Sequence, residues 1–164
     1  MFSTKMLGDF GELVVSKRLE SKGHKILRTR YKKWEGEIDI VSTKDGVVYF
    51  NEVKTRIVKR VTSIDMELQN IGLTRYKMSK ILKCAQHYCQ KEIGRYSYAK
   101  RQFDAYYLQV FIDRNSNVST LNELINCFTT QKMRVLLTTI ENIDMEIFGC
   151  YTETLIKNKE KIEI

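Results

Sequence analysis

Residues 36–56 read GEIDIVSTKDGVVYFNEVKTR, two short apolar runs separated by the pair Asp45-Gly46. An Asp-Gly pair between two such runs is among the strongest short-range signals for a β-hairpin. We therefore predict strands over residues 37–43 and 47–54, joined by a tight turn. Both predicted strands also carry acidic residues at positions where strand side chains ordinarily pack a core.

The turn also predicts which residues of the two strands face each other. Counting outward from its centre gives the pairs Lys44–Val47, Val41–Phe50, Asp39–Glu52 and Glu37–Lys54. Because side chains alternate between the two faces of a strand, one face is predicted to carry Glu37, Asp39, Glu52 and Lys54. The opposite, core-forming face is predicted to carry Ile38, Ile40 and Val53. A shift of one residue would reverse every assignment.

Facing carboxylates suggest a cation site. Asp39 and Glu52 would repel each other across the hairpin unless a divalent cation lay between them. Hard ions such as Mg²⁺ prefer carboxylates together with waters and phosphate oxygens. Lys54, on the same face, could orient a water or stabilise charge on a phosphate. The alternative is an exposed, solvated face on which Glu37 and Lys54 form a cross-strand ion pair.

A further acid lies on a helix predicted over residues 4–22, which Gly23 is well placed to end. Gly8, Glu12, Val15 and Leu19 form one stripe of this helix. A glutamate in a largely apolar stripe, one turn after a glycine, indicates close packing with the carboxylate held inward, where it needs a cation or donors. The alternative for Glu12 is an edge position whose carboxylate reaches water.

The remaining patterns predict alternating strands and helices. We predict strands over 24–31 and 102–112, a helix over 74–92, and a short helix that begins at Thr120 with Glu123 in capping-box spacing. Residues 57–73 are expected to form a loop with some helix, 133–140 and 145–151 strands or edge elements, and 157–164 a frayed charged tail. This order predicts a single α/β domain, a mixed sheet with helices packed on it.

Charge points to the class of partner. Lys and Arg total 28 against 20 acidic residues, a net charge of +8. Such a balance favours polyanionic partners such as nucleic acid or an anionic membrane surface, although many small proteins are basic for no specific reason. No apolar run is long enough to span a bilayer, and Asp9 and Glu12 interrupt any signal-peptide core, so we expect a cytoplasmic protein.

The quoted motifs resemble a known family. LGDFGE (7–12), GEIDIV (36–41) and NEVKTR (51–56), followed by a Lys-rich helix and FD (103–104), resemble the YraN-like proteins. These are assigned to the restriction-endonuclease-like, or PD-(D/E)XK, superfamily and are akin to archaeal Holliday junction resolvases. The resemblance covers about residues 7–112. It implies an endonuclease-like core over 1–128, whereas residues 129–164 form a C-terminal extension longer than is usual in the family.

The resemblance also implies site residues and an activity. Asp39 matches the motif aspartate, Glu52 and Lys54 match the (D/E)XK pair, and Glu12 matches the first-helix glutamate that helps complete the metal site. The superfamily's proline is replaced by Ile38. The backbone carbonyl of Val53 becomes a further candidate ligand for Mg²⁺ or Mn²⁺. The implied reaction is metal-dependent hydrolysis of phosphodiester bonds in DNA, with branched or junction DNA and a homodimer as the more specific expectation and no membrane partner.

Four basic residues are candidate phosphate contacts: Arg56, Lys77, Lys80 and Lys83. Lys77 also resembles the basic residue that begins the family's second long helix. For each lysine the alternative is a solvated helix face. Two alternatives for the whole chain are a nucleic-acid-binding module without turnover and a protein-interaction subunit that uses the aromatic strand 103–112 and the C-terminal segment.

Overall fold

The computed structural model describes residues 3–34, 36–60, 72–91, 100–112, 118–141, 143 and 156–162. These contain the helices α1 (Thr4–Ser21), α2 (Arg75–Lys91) and α3 (Leu121–Thr129). The strands are β1 (Lys25–Lys33), β2 (Gly36–Lys44), β3 (Val47–Ile57), β4 (Lys100–Ile112), β5 (Met133–Ile140) and β6 (Ile156–Ile162). The strands form one sheet in chain order, parallel between β3 and β4 and antiparallel elsewhere. The predicted single-domain mixed sheet with flanking helices is confirmed.

The helices cover the two faces of this sheet. On the α2 face, Met78 and Ile81 of the helix join Phe50 and Tyr107 of the sheet in one buried cluster. On the α1 face, α1 and α3 cover a second buried cluster, which includes Leu108. A three-layer α/β arrangement follows, in which apolar side chains of the central strands are buried on both sides.

Local sequence signals explain where the elements begin and end. The Ser3 hydroxyl accepts a hydrogen bond from the Met6 N–H at 3.0 Å and starts α1. Gly23, with φ of 87°, follows the helix end as predicted. The predicted capping box of Thr120 and Glu123 is present at the start of α3. No helix in the described ranges is long and apolar enough to cross a membrane.

The hairpin turn has the predicted residues at its centre. Asp45 has φ of 49° and Gly46 has φ of 75°. Positive φ at both central positions suits the right-handed twist of the flanking strands, and Asp-Gly adopts this conformation at low cost. The turn therefore determines the register of β2 against β3.

The C-terminal segment differs from the expectation of a frayed tail. β6 pairs with β5 along its length, from Val135↔Ile162 to Ile140↔Ile156. β5 is bonded to β4 on its other side, so without β6 it would leave a row of unpaired backbone groups at the sheet edge. The strand predicted over 145–151 and most of the loop predicted over 57–73 lie outside the described residues.

Candidate functional site

The predicted hairpin register is present, and it ends where the acidic residues begin. The ladder runs from Lys44↔Val47 to Ile40↔Asn51. The predicted pairing of Asp39 with Glu52 lies beyond it. There the Val53 N–H donates a hydrogen bond to Asp39 Oδ2 at 2.7 Å, so the Asp39 carboxylate takes the place of a backbone acceptor and is held beside β3.

Side-chain alternation breaks at the same point. Ile38 belongs to the buried cluster on the α2 face, whereas Ile40 belongs to the cluster on the α1 face. The prediction that both lie on one face was therefore wrong for Ile38. Across the sheet, Arg30 interrupts β1 with φ of 52° between the pairs Thr29↔Ile40 and Tyr31↔Ile38. The left-handed backbone of Arg30 is the local irregularity at which the side chains of β1 and β2 switch from one face of the sheet to the other.

Glu52 is a buried carboxylate on the α2 face. Its side chain is 9% exposed and forms an ion pair with Lys77 Nζ. Burial raises the pKa of Glu52, and the charge of Lys77 opposes that rise. Burial, followed by repulsion from Glu52, raises the pKa of Asp39 to about 7. The two acids therefore interact strongly, and neither is a freely solvated carboxylate.

Lys54 follows Glu52 by two residues on β3, so both extend from the same face. It is half-buried, and its burial together with the charges of Arg56 and Lys77 lowers its pKa. Such an amine gives up a proton more easily than an exposed lysine. The predicted proximity of Glu52 and Lys54 on β3 is therefore supported by an electrostatic effect of each on the other.

Glu12 has a partner that the sequence did not reveal. Arg30 Nε donates to Glu12 Oε2 at 2.8 Å, and Arg30 Nη2 donates to Glu12 Oε1 at 3.1 Å and also to Asp9. These carboxylates raise the pKa of Arg30. The described residues contain no group of three His, Cys, Asp or Glu placed to hold a metal. The charge of Glu12 nevertheless contributes to the raised pKa of Asp39. The sequence signal that could have predicted a shared cation is the i, i+3 spacing of Asp9 and Glu12, which places both carboxylates on one side of α1.

The glycine that permits close packing of α1 is Gly11. A methyl group there would collide with Thr55 Oγ1 and lie 3.4 Å from Val53 Cγ1, whereas no atom of the described residues lies within 4 Å of the same position on Gly8. The prediction of close packing at Gly8 was wrong. Because Gly11 rests on β3 beside Val53, it brings the turn that carries Glu12 close to the Asp39 edge.

Comparison with known proteins identifies the family. The sequence profile of the Uncharacterised protein family UPF0102 matches residues 11–108. The chain belongs to this family. The resemblance to YraN-like proteins is thereby confirmed, and UPF0102 is a PD-(D/E)XK-like nuclease family. The UPF0102 match contains the site built by Arg30, Asp39, Glu52, Lys54 and Lys77, whereas α3, β5 and β6 lie outside it.

Curated UPF0102 proteins are similar over most of their length. A protein of Caldicellulosiruptor bescii is 32% identical over 124 residues, which are 76% of this chain and 98% of the relative. One from Alkaliphilus metalliredigens is 32% identical over 119 residues, 73% of this chain and 96% of the relative. One from Clostridium novyi is 32% identical over 124 residues, 76% of this chain and 96% of the relative. Their names state the family and no activity.

The predicted phosphate-contact residues fall into two groups. Lys77 lies inside the UPF0102 site as the ion-pair partner of Glu52. Arg56, Lys80 and Lys83 lie farther out, with Lys80 Nζ 4.5 Å from the centroid of the Tyr76 ring.

A divalent cation fits the donors at the Asp39 edge. A cation stabilises two mutually repelling carboxylates, here the half-buried Asp39 and the buried Glu52, and Mg²⁺ is commonly held by one or two carboxylates with waters. The N–H and C=O of one residue in an extended strand point the same way, so the Val53 carbonyl also faces the side from which Asp39 binds. The donors at this edge are Asp39, Glu52 and this carbonyl, and the carboxylate of Glu12 is bound by Arg30.

Proposed function

We propose that this UPF0102 protein is a metal-dependent endonuclease that hydrolyses phosphodiester bonds in DNA. One observation carries the proposal: the half-buried Asp39 and the buried Glu52 lie where β2 leaves β3, with Lys54 two residues after Glu52 on β3. Burial and mutual repulsion raise the pKa of Asp39, and such perturbed acids are more frequent at functional sites than elsewhere.

Each residue would have a separate part in the reaction. Asp39 and Glu52, with the Val53 carbonyl, would hold Mg²⁺ or Mn²⁺. When bound, such an ion polarises phosphate oxygens and lowers the pKa of a coordinated water. Lys54, whose pKa is lowered, would orient the attacking water and stabilise negative charge on the phosphate. Glu12 would act through water, since Arg30 already binds both of its carboxylate oxygens.

The net charge of +8 supports DNA as the substrate, and Arg56 would contact a flanking phosphate. Branched or junction DNA, cut by a homodimer, is the specific version that the family resemblance suggests. Light scattering of the purified chain with and without a four-way junction tests the dimer, because a monomer under both conditions contradicts it.

A second candidate function is nucleic-acid binding without turnover. Two observations favour it: Glu52 is already paired with Lys77, and Glu12 with Arg30. In that case Lys77 and Arg30, and not a metal ion, would neutralise Glu52 and Glu12. This candidate predicts salt-sensitive DNA binding that is indifferent to Mg²⁺ and to Lys54→Ala.

A cleavage assay separates the two candidates. Linear, nicked, flapped and four-way DNA would be incubated with the protein and Mg²⁺ or Mn²⁺. The nuclease proposal expects metal-dependent cleavage that falls by at least about a hundredfold in Asp39→Ala and Lys54→Ala, the size typical for loss of one electrostatic or acid–base group. Lys17→Ala, an exposed lysine on α1, is the matched control and should retain full activity. Activity that survives either site variant would refute the assignment.

A further inference from the structure

Two aromatic side chains of the described residues are strongly exposed. Trp34, after β1, is 82% exposed, and Tyr76, in the first turn of α2, is 70% exposed. Among the described residues, the other exposed large hydrophobic side chains are Leu13 and Ile57, at 38% and 37% exposure. Leaving large rings in water forgoes the stabilisation that burial provides, so the placement of two such rings calls for a reason.

Both rings lie along one face of α2. Tyr76, Lys80, Lys83 and His87 follow one another at spacings of four, three and four, so they share a face of the helix. Lys80 Nζ lies 4.5 Å from the Tyr76 ring centroid, and the His87 ring centroid lies 5.7 Å from that of Trp34. We call these five residues the aromatic–cation stripe. From Tyr76 to His87 the helix rises about 16 Å.

The stripe begins at the candidate active site and leads away from it. Lys77, the neighbour of Tyr76, holds the ion pair with Glu52. Farther along, Gly36 packs so closely on α2 that a methyl group there would lie 3.0 Å from Lys80 Cβ. The start of β2, the strand that carries Asp39, is therefore in direct contact with the middle of the stripe.

The far end of the stripe is held firmly. Tyr31 Oη and His87 Nδ1 are 2.8 Å apart, and the Tyr31 ring packs edge-on against the buried Tyr88. Trp34 contacts His87 at an interplanar angle of 79°, and most of the indole stays open to solvent. Lys33 Nζ lies 5.7 Å from the Tyr31 ring centroid and adds positive charge at this end. An open indole face beside cations has the chemistry of a stacking platform for a nucleobase.

We propose that the aromatic–cation stripe binds an unpaired strand of nucleic acid, with bases stacked on Trp34 and Tyr76 and phosphates near Lys80 and Lys83. Single-stranded binding sites combine aromatic faces with a positive track in this way. The interior bases of a duplex are stacked on both sides and offer no free face to a side chain. The inference that the stripe leads substrate away from the candidate active site rests on the proposed function. It implies that the substrate of the nuclease has a single-stranded flank.

The single tryptophan of the sequence allows a direct measurement, because Trp34 is the only source of indole fluorescence. The full chain would be titrated with a DNA single strand of about ten nucleotides, within the range of known site sizes. The matched duplex would be titrated in parallel, and both titrations would contain chelator. We expect saturable quenching by the single strand and at least about tenfold weaker quenching by the duplex. A Lys83→Ala variant should reduce the slope of log affinity against log salt by about one.

Binding of a labelled strand, followed by anisotropy, tests the two rings. Trp34→Ala and Tyr76→Ala should each weaken binding about 5- to 150-fold, the equivalent of the 1–3 kcal/mol of stacking per base. Trp34→Phe should retain most of the affinity. Leu13→Ala, an exposed apolar side chain on α1 across the sheet, is the matched control and should bind as the wild type does.

The outcomes separate this proposal from the proposed function. Equal quenching by duplex and single strand, or unchanged strand binding in Trp34→Ala, would overturn it. If the protein quenches and binds as expected but never cleaves DNA with Mg²⁺ or Mn²⁺, the nuclease proposal fails and the stripe stands. If the protein cleaves DNA but binds the single strand and the duplex equally, only the proposal for the stripe fails.

Discussion

Replacing Lys77 by methionine should destabilise the protein by removing the cation from a buried carboxylate. The Glu52 side chain is 9% exposed and the Lys77 side chain 37% exposed. Breaking a fully buried pair costs about 3–5 kcal/mol, and breaking an exposed one about 0–1 kcal/mol. Because water reaches part of Lys77, we expect an intermediate loss in the free energy of unfolding, about 2 kcal/mol near neutral pH.

The loss should depend on pH in a defined direction. Burial raises the pKa of Glu52, and Lys77 opposes that rise. Without Lys77 the pKa of Glu52 in the folded state rises further, so the folded variant binds a proton more readily than the wild type. Below the pKa of an unfolded glutamate, about 4.3, Glu52 is protonated in every state and the two proteins should be almost equally stable. The difference should grow as the pH rises towards neutrality.

Urea unfolding followed by circular dichroism measures the effect. With a slope near 2 kcal/mol per M, the expected loss lowers the midpoint by about 1 M. Lys17→Met is the matched control, because it breaks the exposed Lys17–Glu20 pair at 3.4 Å, whose side chains are 74% and 49% exposed. That change should cost less than about 0.5 kcal/mol.

Two results would refute the reasoning. One is a Lys77→Met variant whose stability matches that of Lys17→Met at neutral pH. The other is a loss of the same size at pH 4 and pH 7, because a pair that depends on an ionised Glu52 must weaken when Glu52 takes a proton. Adding Glu52→Gln to Lys77→Met should recover part of the loss, since it removes the stranded charge.

Two further predictions concern α1 and the Asp39 edge. Gly11→Ala should lower the free energy of unfolding by about 1–3 kcal/mol, because its methyl group would collide with Thr55. Gly8→Ala should raise the free energy of unfolding by about 0.5–1 kcal/mol. Thermal melts in which both variants shift the melting temperature in the same direction would contradict this. Since the pKa of Asp39 is raised to about 7, the stability that its protonated form provides is complete below about pH 4 and is lost as the pH rises to 7. Asp39→Asn retains an oxygen for the Val53 N–H but carries no charge. It should therefore be about 1–3 kcal/mol more stable than wild type at pH 8 with chelator present. If urea unfolding from pH 4 to pH 8 shows no such gain, Asp39 is an ordinary solvated carboxylate.

Much of the fold follows from short-range patterns. The Asp45-Gly46 turn set the hairpin register, and the capping box at Thr120 placed the start of α3. The two-residue spacing of Glu52 and Lys54 placed both on one face of β3. These features depend on residues within a few positions of each other, so local backbone preferences are enough to predict them.

The partners of the acids were not predictable in this way. Arg30 is 18 residues from Glu12, and Lys77 is 25 residues from Glu52. The sequence around each acid does not indicate which distant lysine or arginine will pair with it, because the local sequences around the other basic residues offer the same chemistry. The change of face at Ile38 likewise depends on the left-handed Arg30 of the neighbouring strand.

The sequence by itself determined α1, α2, α3 and the strands from β1 to β5, the hairpin that presents Asp39, Glu52 and Lys54, and membership of UPF0102. Only the tertiary structure decided which cation neutralises each acid, which glycine lets α1 approach β3, and that the charged C-terminal segment completes the sheet. The physical reason is range. Turns, caps and alternation are settled between chain neighbours, whereas ion pairs and edge pairing are selected when the packed sheet brings distant segments together and excludes water from them.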